Sequence, residues 1–220
     1  MTIRRDLAEL ADKGLLVRVH GGAQLPRSAR GTTLSRLISH EEKRHFHVEQ
    51  KRAAAMAAAR TVSAGDTIFL GGGSTLELMC SYLPQEDIRV VTNSLPVLNL
   101  LADNPHVDLF FIGGMMRHDT RVFTMPYNGR GLYGLSAPKA YVSAIRNFEM
   151  SLGSRPDATM VLSDALARAQ ERYLVVDAVS GRRDFCLFTT LEEMTAAFVN
   201  ADADPQILEA LSTYTSVVTA

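Results

Sequence analysis

The chain has 220 residues, of which 46% are hydrophobic and 21% are charged. A chain of this length can bury one substantial core, so we expect one main domain with a small appendage at most. The formal net charge of -1 gives the whole molecule no electrostatic preference for nucleic acid. The sequence has no signal-peptide pattern and no apolar run long enough to span a membrane, and it uses cysteine sparsely, so we expect a cytoplasmic protein. Cys80 and Cys186 are then expected to be reduced, and a disulfide between them is the alternative.

The first 25 residues have the pattern of a helix followed by a small hairpin. Apolar residues recur at helical spacing between Thr2 and Lys13, and Gly14 ends the pattern. The stretch 15–23 then alternates and meets a Gly-Gly turn, which predicts two short antiparallel strands. A helix followed by a hairpin is the second half of a winged helix.

The residues at 1–7 (Met-Thr-Ile-Arg-Arg-Asp-Leu) and at 13–23 resemble the end of the DNA-binding region in the DeoR family of bacterial sugar-metabolism repressors. The resemblance implies that the helix is the recognition helix and that the hairpin is the wing. It implies DNA contacts by Thr2, Arg4, Arg5, Arg18 and His20. A solvated basic helix end is the alternative. Family members carry a further segment before this point, so we expect half of the winged helix to be missing and DNA binding to be poor.

A polar, breaker-rich segment at 26–33 is typical of a linker, and a helical stretch, continuous or interrupted, follows between Leu34 and Arg60. Residues 39–44 resemble the connector in the lactose-phosphotransferase repressor branch of the family. Three histidines, His40, His45 and His47, lie here near acidic residues. A metal site is therefore an alternative interpretation of this stretch. Their spacing matches no common zinc pattern, so we expect neither a metal nor a cofactor.

From residue 61 onwards short apolar runs alternate with helical stretches, which is typical of a layered α/β domain with a mostly parallel sheet. The predicted strands are Thr67–Leu70, Arg89–Thr92, Leu109–Ile112, Ala140–Ala144, Tyr173–Asp177 and Ala196–Val199. Ligands of open parallel sheets bind beyond the carboxyl ends of the strands. The residues that follow these strands are therefore the candidates for a binding site.

The stretch 66–78 has the order strand, glycine loop and helix. Glycines 71–73 end the strand, and Ser74 or Thr75 stands where an N-cap would open the helix. Glycines let backbone N–H groups approach a ligand closely, and a helix N-terminus favours an anion. The expected ligand of this loop is therefore a phosphate group. The alternative is a turn whose glycines serve only its geometry. The loop has neither a Walker lysine nor the G-x-G-x-x-G spacing of dinucleotide sites.

Two further strand ends carry polar residues. Asn93 and Ser94 follow the second strand, and we expect one of them to cap the next helix. Arg117 follows the paired glycines 113–114 and has the geometry to bind phosphate or carboxylate bidentately, an ordinary surface ion pair being the alternative. The three strand ends are consistent with one anionic ligand.

The motifs at 65–75, 90–96 and 112–117 also resemble the effector domain of the DeoR family, in its order and spacing. The resemblance implies a fold similar to ribose-5-phosphate isomerase, used to sense a phosphorylated sugar. It implies effector-binding residues at Gly72, Gly73, Ser74, Thr75, Asn93, Ser94 and Arg117. The later half departs from the family pattern. There Asn147 or Arg146 is expected to line the site, and Arg182 to replace a lysine of the relatives. The alternative is a pocket that has lost its ordinary ligand.

The expected function is a DNA-binding transcriptional repressor of carbohydrate metabolism, a dimer or tetramer with no membrane partner. Its expected domains are a partial winged helix at 1–25, a linker at 26–33 and a sugar-phosphate-sensing domain at 34–220. One alternative is a sugar-phosphate isomerase or deaminase, whose chemistry needs a carboxylate base beside the sugar carbon that is deprotonated. The resemblance to isomerases implies acidic residues at the fourth strand end, but this sequence has Ile145, Arg146 and Asn147 there, with Glu149 slightly beyond. Another alternative is an oligomerisation partner that binds ligand and no operator.

Overall fold

A computed structural model describes residues 17–19, 22–24, 40–125, 135–143, 145–146, 157–177, 185–186 and 191–220. The chain divides into two compact units, Met1–Leu37 and Ile38–Ala220. In the first unit, β1 (Val17–Val19) pairs antiparallel with β2 (Gly22–Gln24), which confirms the predicted hairpin. The helix predicted between Thr2 and Lys13 lies outside the described residues.

Among the described residues of the second unit, seven strands form one sheet whose neighbours are all parallel. Their spatial order is β13 (Ser216–Thr219), β12 (Ala196–Val199), β10 (Glu171–Val176), β8 (Lys139–Val142), β3 (Thr67–Leu70), β4 (Ile88–Thr92) and β5 (Val107–Phe111). The chain first extends the sheet from β3 through β4 to β5 and then returns to place β8 on the other side of β3. The order of the strands therefore reverses between β3 and β8. The predicted α/β class with a parallel sheet is confirmed.

The six predicted strands are all present. β3 and β12 have the predicted bounds, and the other four differ by one or two residues at their ends. The central strands are continuous apolar runs because helices cover both faces of the sheet, as is usual for parallel sheets. The edge strand β13 was not predicted, since it is mostly exposed and lacks the apolar signal of a buried strand.

Six α-helices lie among the described residues: α1 (His40–Arg44), α2 (Val48–Ala59), α3 (Ser74–Met79), α4 (Leu95–Leu101), α5 (Asp157–Arg168) and α6 (Pro205–Ser212). The last five of them contribute to two apolar cores, one on each face of the sheet. Along β3, Phe69 enters the core that contains α5 and α6, whereas Ile68 and Leu70 enter the core that contains α2, α3 and α4. None of the described helices has the length and apolar content needed to span a membrane.

The predicted helical stretch 34–60 is interrupted within its described part. α1 ends at Arg44, α2 begins at Val48, and His47 between them adopts a left-handed conformation with φ 51. The buried ammonium group of Lys51 donates hydrogen bonds to the carbonyl groups of Lys43 and Phe46. Lys51 thus binds one carbonyl group in the last turn of α1 and one just beyond it, and it fastens α1 to α2.

Candidate functional site

The glycine loop 71–73 lies at the carboxyl edge of the sheet, at the point where the strand order reverses. It follows β3, and Ser143 follows the adjacent strand β8. The two segments are in close contact, because a Cβ atom built on Gly73 would lie 3.1 Å from the Cβ atom of Ser143. Crevices at such reversal points are where open parallel sheets bind their ligands.

Gly73, rather than Ser74 or Thr75, is the N-cap residue of α3, so the sequence-based assignment of the cap was wrong. Gly73 has φ 146 and ψ 146, a conformation that is open essentially only to glycine, and the helix therefore begins directly at Ser74. The side chains of Ser74 and Thr75 are buried in the first turn of α3. In the described part of the structure their hydroxyl groups have no hydrogen-bond partner.

Gly72 makes room for a side chain of the protein itself. A Cβ atom on Gly72 would lie 2.1 Å from Cγ1 of Val122 and 3.8 Å from the Cβ atom of Ser94. Val122 also forms an isolated antiparallel bridge with Ser94. The absence of a side chain at Gly72 therefore lets the segment that carries Val122 lie over the loop.

That segment is a small hairpin, residues 115–124, which we call the arm. Its strands are β6 (Met115–Met116) and β7 (Phe123–Thr124), paired antiparallel. Gly114, at its base, has φ 142, and a Cβ atom there would lie 2.4 Å from the carbonyl oxygen of Thr124. The arm thus depends on a glycine at its base and on Gly72 beneath it.

Arg117 lies in the turn of the arm and is paired with Asp119. Its Nε and Nη2 atoms lie 3.4 and 3.2 Å from Oδ1 and Oδ2 of Asp119. Burial would raise the pKa of Asp119, but the hydrogen bond and charge of Arg117, together with backbone N–H groups, lower it below the usual value. The structure thus contains the ion pair that was the alternative for Arg117. Effector binding by Arg117 stays a prediction.

The ends of β3 and β4 are bonded to each other and to the arm through three consecutive polar residues, Thr92, Asn93 and Ser94. Ser94 is the N-cap residue of α4, which confirms that one of the two polar residues caps a helix. The Asn93 side chain donates from Nδ2 to the carbonyl oxygen of Phe123 at 2.9 Å, and its buried Oδ1 has no partner among the described residues. The hydroxyl group of Thr92, which the sequence analysis missed, donates to the carbonyl oxygen of Leu70 at 2.6 Å and accepts from the Ser94 N–H.

A buried carboxylate on α3 was also missed. Glu77 lies one turn after the loop, with its Oε2 atom 3.1 Å from Nε2 of His40 and its Oε1 atom 3.0 Å from Nη2 of Arg44. An acidic residue inside the otherwise apolar run Leu-Glu-Leu-Met at 76–79 was the available signal. No group of three or more metal-ligating side chains occurs in the part of the chain that the structure describes.

Two of the remaining predicted site residues lie in described strands. Arg146 belongs to β9 (Ile145–Arg146), which pairs antiparallel with β11 (Phe185–Cys186), and Arg18 belongs to β1. Six further predicted site residues lie outside the described residues: Thr2, Arg4, Arg5, His20, Asn147 and Arg182. Their roles stay predictions.

Two family models match the chain. The model of the DeoR C terminal sensor domain matches residues 46–201, and that of the DeoR-like helix-turn-helix domain matches residues 1–29. The chain is 35% identical over 222 residues to the lactose phosphotransferase system repressor of Staphylococcus aureus (strain NCTC 8325 / PS 47), with 99% of this chain and 86% of that protein covered. It is 34% identical over 223 residues to the protein of the same name from Streptococcus mutans serotype c (strain ATCC 700610 / UA159), with the same coverage.

Among solved structures, ribose 5-phosphate isomerase A from Methanocaldococcus jannaschii matches with a TM-score of 0.37 and 16% identity, over 61% of this chain and 54% of that one. A TM-score this low carries no argument about function. The two relatives above are named as repressors and not as enzymes. Because the sensor-domain model spans most of the chain and the similarity to these repressors extends over nearly all of it, the chain belongs to the DeoR family of transcriptional regulators.

Proposed function

We propose that this chain is a transcriptional repressor of carbohydrate metabolism, whose residues 34–220 sense a phosphorylated sugar and whose residues 1–25 contact operator DNA, with 26–33 as the linker. The observation that carries the proposal is the match of a sensor-domain model and a helix-turn-helix model to one chain. The name of the two relatives, repressors of a lactose phosphotransferase system, favours a sugar as the signal. We further propose a cytoplasmic homo-oligomer, a dimer or tetramer.

The effector is proposed to bind at the carboxyl edge of the sheet beside the glycine loop. Two hydroxyl groups lie at the start of α3, on the buried residues Ser74 and Thr75. A phosphate there would receive hydrogen bonds from these hydroxyl groups and from backbone N–H groups at the positive end of the helix. The buried Oδ1 of Asn93 is suited to accept a hydrogen bond from a sugar hydroxyl group.

Arg117 would supply the positive charge, by leaving Asp119 for the phosphate or by holding both. The complete set of proposed effector-binding residues is Gly72, Gly73, Ser74, Thr75, Asn93, Ser94, Arg117, Asn147 and Arg182. The proposed DNA-binding residues are Thr2, Arg4, Arg5, Arg18 and His20. For the sugar to regulate DNA binding, it must have unequal affinity for the DNA-bound and the released arrangements.

A thermal-shift screen against phosphorylated sugars and their unphosphorylated parents tests the effector site. A ligand that binds only the folded chain raises its melting temperature by mass action. We expect a shift with phosphorylated compounds and none with the parents. Absence of any shift across the panel would refute the proposed sensing function, and conversion of a sugar phosphate to product would favour the enzyme alternative.

Arg117→Ala tests the assignment of the charge. Loss of a hydrogen bond to a charged group costs about 1.5–3 kcal/mol, so the affinity for the phosphorylated sugar should fall roughly 10-fold or more. Arg121→Ala, which removes an exposed arginine of the same arm, is the matched control and should leave the affinity unchanged. Equal affinities of the wild type and Arg117→Ala by calorimetry would remove Arg117 from the site.

A further inference from the structure

His40 and Glu77 form a buried polar contact between two short helices. Their side chains are 6% and 9% exposed, and Nε2 of His40 lies 3.1 Å from Oε2 of Glu77. Neither of these two atoms has a hydrogen-bond partner of good geometry among the described residues. The contact between them is therefore electrostatic rather than a hydrogen bond. The other carboxylate oxygen of Glu77 lies 3.0 Å from the half-exposed guanidinium group of Arg44. Both basic partners of Glu77 belong to α1.

Glu77 is tied to the glycine loop through the backbone. Its N–H donates to the carbonyl oxygen of Gly73 at 2.9 Å, which closes the first turn of α3. Glu77 therefore moves with the loop and with the hydroxyl-bearing residues Ser74 and Thr75. A ligand that draws the start of α3 towards itself would change the position of this carboxylate relative to α1.

His40 is also tied to the arm. Its backbone N–H donates to the carbonyl oxygen of Asp119 at 2.8 Å, and Asp119 lies in the turn of the arm beside Arg117. The arm in turn lies over Gly72 through Val122. His40 thus contacts both elements that border the candidate effector site, α3 through its side chain and the arm through its main chain.

The opposite end of α1 is fastened elsewhere. Lys51 of α2 holds the carbonyl groups of Lys43 and Phe46 at the end of α1, and α2 packs into the core of the sheet. The five-residue helix α1 is therefore joined to α2 at its end, to the arm at its start, and to Glu77 of α3 through both His40 and Arg44. Along the chain, α1 is the first described element after the segment that leads from the first unit.

We propose that the contact of His40 with Glu77 couples the effector site to α1, so that occupancy of the glycine loop changes how α1 is held. This inference rests on the proposed function for its ligand, since it takes the glycine loop to be the effector site. Arg44, which is half-exposed, adds a second positive partner to Glu77. The carbonyl group of Asp119 gives His40 a second point of attachment. Glu77 is a positioning residue and does not itself touch the ligand.

Amide hydrogen exchange of peptides that cover residues 38–46 tests the coupling in the full chain without a ligand. Gly73→Ala perturbs the loop, because alanine is strained at φ 146 and its Cβ atom would press on Ser143. In an otherwise wild-type chain, Gly73→Ala should change exchange in these peptides about 5-fold or more, the lower end of ordinary allosteric couplings. In the Glu77→Gln background the same substitution should add less than about 2-fold to the effect of Glu77→Gln alone.

Glu41→Gln is the matched control, because it removes a carboxylate from α1 whose partner is also Arg44 but which is exposed. The response to Gly73→Ala should persist in this background. An equal response in the wild-type and the Glu77→Gln backgrounds would overturn the proposal, and so would no response in the wild-type background. If Glu77→Gln or Gly73→Ala fails to give a cooperative melting transition, His40→Gln and Gly72→Ala replace them with the same expectations.

The same peptides are then measured with D-glucose 6-phosphate and with inorganic phosphate. A probe that shifts the melting temperature should alter exchange at 38–46 in the wild type and in Glu41→Gln, and not in Glu77→Gln. Binding that alters exchange equally in all three proteins would overturn the coupling while sparing the proposed function. If neither probe binds, the proposed sensing of these compounds fails, and the response to Gly73→Ala still decides the coupling.

Discussion

Replacement of Gly72 by alanine should destabilise the protein through a single methyl group. The new Cβ atom would lie 2.1 Å from Cγ1 of Val122, whereas the Cβ atoms of Val122 and Ser94 would be at 3.6 and 3.8 Å. Ordinary contacts between carbon atoms are about 3.5–4.0 Å, so the overlap with this one methyl group is roughly 1.5 Å. Overpacking of this kind costs about 1–3 kcal/mol, and Val122 relieves it poorly because a β-branched side chain has few rotamers.

For a chain of this length, that loss corresponds to a melting temperature lower by roughly 2–12 °C. The assay is thermal unfolding followed by circular dichroism. Val122→Ala alone should cost about 1 kcal/mol or less, since Val122 is only half-buried. In the double variant Gly72→Ala/Val122→Ala the clash is absent, so it should be more stable than Gly72→Ala alone.

Gly113→Ala is the matched control, because a Cβ atom on Gly113 would meet nothing within 4 Å. Its melting temperature should stay close to that of the wild type. Additive effects of Gly72→Ala and Val122→Ala would show that the arm does not lie on the loop as described. Equal stability of Gly72→Ala and Gly113→Ala would refute the reasoning in the same way.

Three further substitutions or reagents test the surroundings of the site. Burial opposes a low pKa for Asp66, but the hydrogen bond and charge of Lys139 and a backbone N–H lower the pKa of this carboxyl group. Asp66 therefore stabilises the fold above about pH 4, and its contribution is lost as the pH falls through the lowered pKa. Asp66→Asn should cost about 1–3 kcal/mol at neutral pH and flatten the acid limb of a curve of stability against pH. Thr92→Val removes the hydrogen bond to Leu70 and should lower stability by about 1–3 kcal/mol in urea titrations, an unchanged midpoint being the contrary result. Burial and the charge of Glu77 raise the pKa of Cys80 to about 12. Iodoacetamide at about pH 8 should therefore label Cys80 slowly until urea unfolds the chain, which peptide mapping would detect. Rapid labelling of the folded chain would contradict this expectation.

The strands and the glycine loop were predictable because their signals are local. Thr67–Leu70 is an apolar run followed at once by three glycines, and its bounds in the structure are those predicted. The end of β4 at Thr92 likewise follows from a buried run that meets the short polar residues Asn93 and Ser94. Because strand ends in a parallel sheet meet at one edge, their order along the chain was sufficient to bring these residues together.

The contacts that complete the site were not predictable, because each joins residues far apart in the chain. Gly72 accommodates Val122, some 50 positions later, and no feature of either neighbourhood identifies the other. Glu77 was predicted only as part of a helix, and its burial against His40 depends on where α1 lies. The N-cap was misassigned because serine and threonine are the usual caps, whereas the unusual backbone of Gly73 decided where α3 begins.

The reversal of strand order between β3 and β8 has a consequence for how the protein folds. β3 pairs with β4 through residues about 20 positions apart, whereas it pairs with β8 through residues about 70 positions apart, and loop closure delays the longer pairing. Both apolar cores draw residues from the two halves of the sheet, so neither core is complete before β8 joins β3. The glycine loop borders this junction. A ligand held there would bind only the fully assembled sheet, and it would slow unfolding by resisting separation of the two halves.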